Sequence, residues 1–469
     1  MVFHLEKQVQ PTLHKTLNRS THNKNPHDNL EVAKENENVL SHVLLVYLSI
    51  SLIMTIMAGI HFDQVVSRGC GMDIHKKVVV ATVQGEGICK ETKSFDTFTS
   101  SLTQLREWLV SLGITHVAME STGVYWKPIY NVFEDYIRNI WIVNARHIKN
   151  VPGHKTDKND SEWICQLLMA GLLKPSFIPP RQQRELRDLT RYRRKLIGME
   201  SANKNRIIRT LEDGNVKLSS VLSDTSGSTA TKLIEMLCDG RIPTLADIES
   251  VRHKRCLHSA EEMLEACTGY MNSHKIYMLQ KIRSCNRRLT EEITEMDRHI
   301  KEILSPYEDV IARLSEIPGV QNRTCEELIA EIGLDMGNFP TAAHLCSWAG
   351  MCPGNNESAG KKKSGRTSHG DKHVRATLVE AAWAASRTKG TFFMERFNRL
   401  APRKGNKKAL IAVGHSLLKC IHYVLSTGGR YKELGDSYVP EKKEKQRKEY
   451  LKGELKKLGY HVVLTKKKD

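Results

Sequence analysis

The chain has 469 residues, enough to bury at least two substantial cores, so a small scaffold held together by disulfides or structural metals is not required. Its 71 Lys and Arg outnumber 53 Asp and Glu, and the resulting net charge of +18 favours a polyanionic partner or an anionic surface over a neutral small molecule. The 11 cysteines show no CxxC pair, which argues against a zinc ribbon or a regular disulfide framework and fits a reducing cytoplasm.

Residues 1–38 are polar and read as disordered. Val43 to Ile60 is an uncharged run just long enough to cross a bilayer as a helix. It can be read as a membrane anchor, as a buried apolar segment, or as part of an over-extended chain whose natural start is Met54 or Met57. The last reading is preferred because a folded domain begins just afterwards, so residues 1–61 are assigned as a disordered or spurious leader and a membrane partner is not expected.

Residues 62–180 read as a mixed α/β domain. RGCGMDIHKKVVVATVQGEG suggests a hairpin with Asp73 on its first strand, followed by a helix over Phe98 to Gly113 with apolar positions at Leu102, Leu105, Leu109 and Leu112. A short strand from His116 ends at Glu120; IRNIWIVNARHIKN gives another strand and a basic loop; a helix then begins around KTDKND and stops at Gly171. Asp73 and Glu120 therefore fall at or beside strand ends, and Asp157 and Asp160 share one face of a helix start. Brought together, these carboxylates would repel unless cations neutralised them, and Mg²⁺ or Mn²⁺ is suited to carboxylate oxygen and to phosphodiester cleavage. Each acid alone also has a structural explanation, as a helix-start charge, a strand-end carboxylate or a salt-bridged Asp.

Residues 181–311 read as a helical spacer. Arg181 to Leu211 is amphipathic with a cationic face that includes Arg191, Arg193 and Arg194, suited to tracking phosphates or simply solvated. Residues 212–250 look like a less regular connection, after which helical spacing resumes up to Leu304, so an antiparallel coiled-coil arm or a dimerisation element is expected.

Residues 312–432 form a second, mainly helical block. Around Ile317 to Val320 a Pro-Gly turn between two short helices could present backbone N–H groups to a phosphate or be purely structural, and Thr324 with Glu327 has capping-box spacing. Ser358 lies in a flexible Asn-, Gly- and Ser-rich stretch before Lys361, Lys362, Lys363 and Arg366, with Lys372 and Arg375 opening the next helix. Cations beside a serine could stabilise charge during attack on DNA, or the stretch could be a non-catalytic phosphate-binding loop. His369, His373 and His415 are candidate proton acceptors, or else structural or DNA-contacting histidines. Residues 433–469 read as a basic tail, an exposed helix or loose arm.

These motifs together resemble the IS110/IS116/IS902-type insertion-sequence transposases over nearly everything from Phe62 to Tyr431. GMDIHKK, AMESTGVYW and KTDKND match the first acid, the second and the final pair of their RuvC-like DEDD domain. IPGV, SWAGMCPG and NNESAGKKKSGRTSHGDKHVR match their C-terminal transposase domain, with Ser358 at the nucleophile position. The resemblance implies an RNase H-like (RuvC-like) fold for the first block and a multimer, dimer or tetramer, in which acids and serine combine across subunits. It further implies a covalent serine–DNA link, double-stranded DNA of element ends and target as substrate, and a guide RNA from the element. The family domain normally begins near the chain start, which strengthens the expectation of a misplaced start. The alternatives are a junction-resolving nuclease in which water attacks, and a catalytically inactive nucleic-acid-binding protein.

Overall fold

The computed structural model describes residues 65–120, 123–144, 157–354, 356–358, 361–364, 366–435 and 441–463. The apolar run from Val43 to Ile60 and the leader readings lie outside the described residues. The chain divides into two compact units, Met1–Ile178 and Pro179–Asp469.

In the first unit, β1 (Arg68–Ile74), β2 (Val78–Gly85) and β3 (Ile88–Asp96) form an antiparallel meander. Helix α1 (Thr99–Ser111) crosses to β4 (His116–Glu120), and α2 (Trp126–Phe133) crosses to β5 (Asn139–Val143). Both β4 and β5 run parallel to β1, giving a sheet of order β3-β2-β1-β4-β5. One face, with Cys70, Met72, Val79, Ala81, Val117 and Met119, packs on α1 and α2 through Leu102, Leu105, Leu109, Ile129 and Phe133. The other, with Ala118 and Val143, is covered by Ile164, Leu167 and Leu168 of α3 (Asp157–Met169). Strand alternation thus separates two apolar sets around the sheet, and the near-continuous burial of β1 follows from cover on both faces.

The second unit is helical. Its longest elements, α4 (Arg181–Asp213) and α9 (Ser273–Leu304), pack antiparallel, with Leu196 against Leu289 and Ile293 in one cluster and Leu211 with Leu279 in another. The intervening stretch is not the irregular connection expected from sequence. Helices α5 (Leu218–Val221), α6 (Ser228–Cys238), α7 (Leu245–Val251) and α8 (Ala260–Cys267) enclose a core built on Leu218, Leu233, Leu237, Ile248 and Met263. Of these, α5, α6 and α7 fall within residues 212–250, each too short to show a sustained helical period, whereas α8 lies in the stretch where the sequence predicts helical spacing to resume. Capping boxes at Thr244 with Asp247 and Ser259 with Glu262 start α7 and α8.

Beyond α9 come α10 (Glu308–Ser315), α11 (Asn322–Ile332) and α12 (Ala342–Trp348). A two-stranded ribbon, β6 (Asn356–Ser358) and β7 (Lys361–Ser364), precedes α13 (Lys372–Ala385), α14 (Phe392–Lys404), α15 (Asn406–Thr427) and α16 (Glu441–Lys457). The expected capping box at Thr324 does not form: α11 begins at Asn322, so Thr324 lies inside the helix, and Glu327 instead accepts from Arg194 Nη1 and Thr377 Oγ1. Among the described residues α15 is the one helix long and apolar enough to cross a membrane, and its Val413, Leu417, Leu418 and Ile421 are buried within the unit.

Candidate functional site

Strand register brings the first two acids together. β1 pairs with β4 through Gly71 opposite Ala118 and Met72 opposite Met119, so one step further Asp73 stands level with Glu120, on the same face. Both lie at the carboxyl ends of parallel strands, where open α/β sheets place their ligands. Asp73 is 8% exposed, and its Oδ2 lies 2.9 Å from Nε2 of His75. Glu120 is half-buried.

The helix that carries the second pair lies on this same face. A Cβ at Gly69 would meet the Met169 and Leu168 side chains; one at Gly71 would lie 2.2 Å from the Cys165 nitrogen and 2.4 Å from the Ser161 oxygen. Contact thus moves back along α3 as β1 advances, so the helix runs antiparallel to the strand and its start lies toward Asp73. Asp157 is the first residue of α3 and Asp160 is an exposed residue of its first turn. The side chain of Asp157 lies outside the described residues, and among the described residues no group of three or more His, Cys, Asp or Glu is close enough to hold an ion. The backbone nevertheless directs all four carboxylate positions to one end of one sheet face.

Sequence reasoning missed Gly71 and His75. A glycine two residues before a strand-end Asp is a legible sign of close backbone approach; His75 carried no comparable signal.

In the second unit, Ser358 ends β6 opposite Lys361 of β7, so the serine block is a paired ribbon at this point rather than an unstructured loop. The ribbon base is tied by Gly354 N–H donating to the Arg366 carbonyl at 2.7 Å and Ser368 N–H donating to the Cys352 carbonyl at 3.2 Å. The side chains of Ser358, Lys361, Lys362 and Lys363 lie outside the described residues. Arg366 and Lys372 are exposed and Arg375 is half-buried. Asp371 caps α13 by accepting from the His373 and Val374 N–H groups. Burial holds His373 below its ordinary value, with Arg191 adding to the shift; burial does the same to His415, helped by Lys419 and Arg396.

The cationic face expected on α4 is corrected by the structure. Arg193 is fully buried, with Nη1 donating to Asp297 and Glu326, and so presents nothing to a phosphate. Arg191 pairs with buried Glu331, which Arg187 also contacts, and Arg194 pairs with Glu327 and Glu380. The Pro-Gly turn packs inward as well: Gly319 has φ +82°, and a Cβ there would lie 2.3 Å from the Ala381 oxygen of α13.

A five-stranded mixed sheet of this order, with acids at the ends of its central parallel strands, defines an RNase H-like carboxylate domain. The chain belongs to the IS116/IS110/IS902 transposase family: a transposase model of the IS110 DEDD type matches residues 70–215, and the family's second model, described as Transposase IS116/IS110/IS902 family, matches residues 311–397. Pilin gene-inverting proteins of Moraxella bovis and Moraxella lacunata are each 28% identical over 179 residues, 37% of this chain and 53% of theirs, so the match spans about half the length of those relatives. A probable family 20 transposase of Pseudomonas aeruginosa is 23% identical over 288 residues, 61% of this chain and 75% of its own.

Proposed function

We propose that this protein is a DNA transposase or recombinase that cuts and rejoins double-stranded DNA at element ends and target. The observation that carries this reading is the direction of Asp73, Glu120 and the start of α3 to one end of one sheet face. Family membership supports it, and inversion of a gene, for which the Moraxella relatives are named, likewise requires DNA to be cut and rejoined.

An all-carboxylate donor set suits a hard divalent cation, so Asp73, Glu120, Asp157 and Asp160 are the residues that would hold Mg²⁺ or Mn²⁺. When bound, the ion supplies charge stabilisation at the reacting phosphate. Ser358 is the nucleophile in this reading. Its Oγ bonds to a backbone phosphorus, the phosphorus–deoxyribose oxygen bond breaks, and the serine proton passes through a base to the released sugar oxygen. Reversal with a second DNA end frees the serine and restores the phosphodiester. His373 and His415, whose imidazoles burial shifts toward the neutral form, are suited to accept that proton, with His369 as the third candidate.

Lys361, Lys362, Lys363, Arg366, Lys372 and Arg375 are assigned to DNA or RNA phosphates, supported by the net charge of +18. Guidance by an element-encoded RNA, a dimeric or tetrameric assembly and a cytoplasmic location complete the reading, on the family resemblance. Full-length protein incubated with labelled element-junction DNA, RNA transcribed from both element flanks and Mg²⁺ or Mn²⁺ is expected to cleave the DNA. Asp73→Asn and Glu120→Gln should both fall to background, and undiminished cleavage by either would remove that acid from the site.

A further inference from the structure

The α3 helix is fastened to the sheet by buried hydroxyls one level below the acids. Thr82 of β2 is fully buried, opposite Gly71 of β1 and Thr92 of β3 in the two ladders. Its Oγ1 lies 2.8 Å from Ser161 Oγ on α3 and 2.9 Å from Thr92 Oγ1. Ser161 is also fully buried and directly follows Asp160. Lys90 of β3 adds an ion pair to Glu162.

Apart from the Cys165 thiol donating to the Gly69 carbonyl at 3.7 Å, the other described contacts of this interface are apolar or glycine: Ala118 and Val143 on the sheet, Ile164, Leu167 and Leu168 on the helix, and Gly69 and Gly71 between them. Such contacts exclude water but tolerate sliding, because burial has no direction. A hydroxyl pair has direction. Any roll or slide of α3 breaks the Thr82–Ser161 hydrogen bond inside the fold, where no water replaces it. The polar fastening falls at the end of α3 that carries Asp157 and Asp160, while Gly71 fixes how closely that end approaches β1.

We propose that Thr82 and Ser161 are a positioning pair that sets where the α3 carboxylates stand relative to Asp73 and Glu120, and through them the divalent-cation affinity of the site. This rests on the reading of those four acids as cation ligands. Neither hydroxyl touches the cation or DNA in this account; they act by fixing the register of one helix.

The test is Mn²⁺ binding to the full-length protein, followed by electron paramagnetic resonance of free Mn²⁺, with melting temperature measured in parallel. Thr82→Val keeps the shape and removes the hydroxyl, and is expected to weaken Mn²⁺ binding by about tenfold or more, as loss of a partner that orients ligands does. Thr82→Ser should bind close to wild type. The double variant Thr82→Val/Ser161→Ala removes both hydroxyls, and its Mn²⁺ affinity should stay as low as that of Thr82→Val. Ile129→Val, a truncation on the opposite sheet face, should lower the melting temperature and leave affinity unchanged.

If Asp73→Asn abolishes binding but Thr82→Val binds like wild type, the positioning role is wrong and the carboxylate reading stands. Recovery of Mn²⁺ affinity in the double variant would equally reduce the pair to a packing element. If wild type binds no Mn²⁺, or Asp73→Asn binds as tightly as wild type, the carboxylate reading falls and the positioning role falls with it.

Discussion

Gly71 and Cys165 approach so closely that a single added Cβ on the strand would lie 2.2 Å from the helix nitrogen. That contact seats α3 on β1 and, through it, fixes how near the second pair of acids comes to the first.

Gly71→Ala forces backbone against backbone, where no side chain can swing aside. The expected cost is about 1–3 kcal/mol, in the range of overpacked cores, with α3 shifted outward. Denaturant melts would show the lower midpoint, and hydrogen exchange would show the start of α3 losing protection. A variant with wild-type stability and protection would mean that the helix does not depend on this approach.

Arg193 offers a separate test of the basic helix. Its guanidinium is buried between Asp297 and Glu326, with Nε and Nη2 lacking a hydrogen-bond partner among the described residues. Arg193→Ala breaks a buried ion pair and is expected to cost about 3–5 kcal/mol. The slope of log affinity for DNA against log salt should not change. Arg366→Ala, at an exposed position of the serine block, should instead reduce that slope by about 0.9 and cost little stability.

Acid should loosen the second unit through His373 and His415. Both are held below the ordinary 6.5, chiefly by burial, so the unfolded chain binds more protons than the folded one as pH falls through 6.5. Their contribution is full above 6.5 and is lost as pH drops toward the depressed folded values. Melting temperature measured from pH 8 to pH 5 should decline, and His373→Gln should flatten the decline; an unchanged profile in that variant would remove His373 as a source.

Much of the first unit was legible because its signals are local. The Asp73 hairpin, the helix from Thr99 and the strand ending at Glu120 each follow from apolar spacing within one element. β3 escaped notice because this edge strand is largely exposed and alternates poorly, and α2 because it is short and contains Pro128. The carboxylate positions could be named from sequence, yet their approach depends on the β1–β4 register and on Gly71, which join residues far apart in the chain. Thr82 looked like an ordinary threonine in an apolar strand until its partner on α3 was in view.

The arginines of α4 failed for the same reason. Their partners Glu326, Glu327 and Glu331 lie on α11, more than a hundred residues away, so the sequence displayed cations without the acids that neutralise them. In the serine block, Lys and Gly content concealed a short ribbon whose pairing is carried by the backbone.

The most direct test of strand exchange is a denaturing gel of full-length protein with labelled element-junction DNA, Mg²⁺ and RNA transcribed from both element flanks. The expected product is a slowly migrating, protease-sensitive protein–DNA species whose linked peptide contains Ser358, absent from the Ser358→Ala and Asp73→Asn proteins. Cleavage by wild type that leaves only free DNA ends, or an adduct that persists in Ser358→Ala, would contradict that expectation.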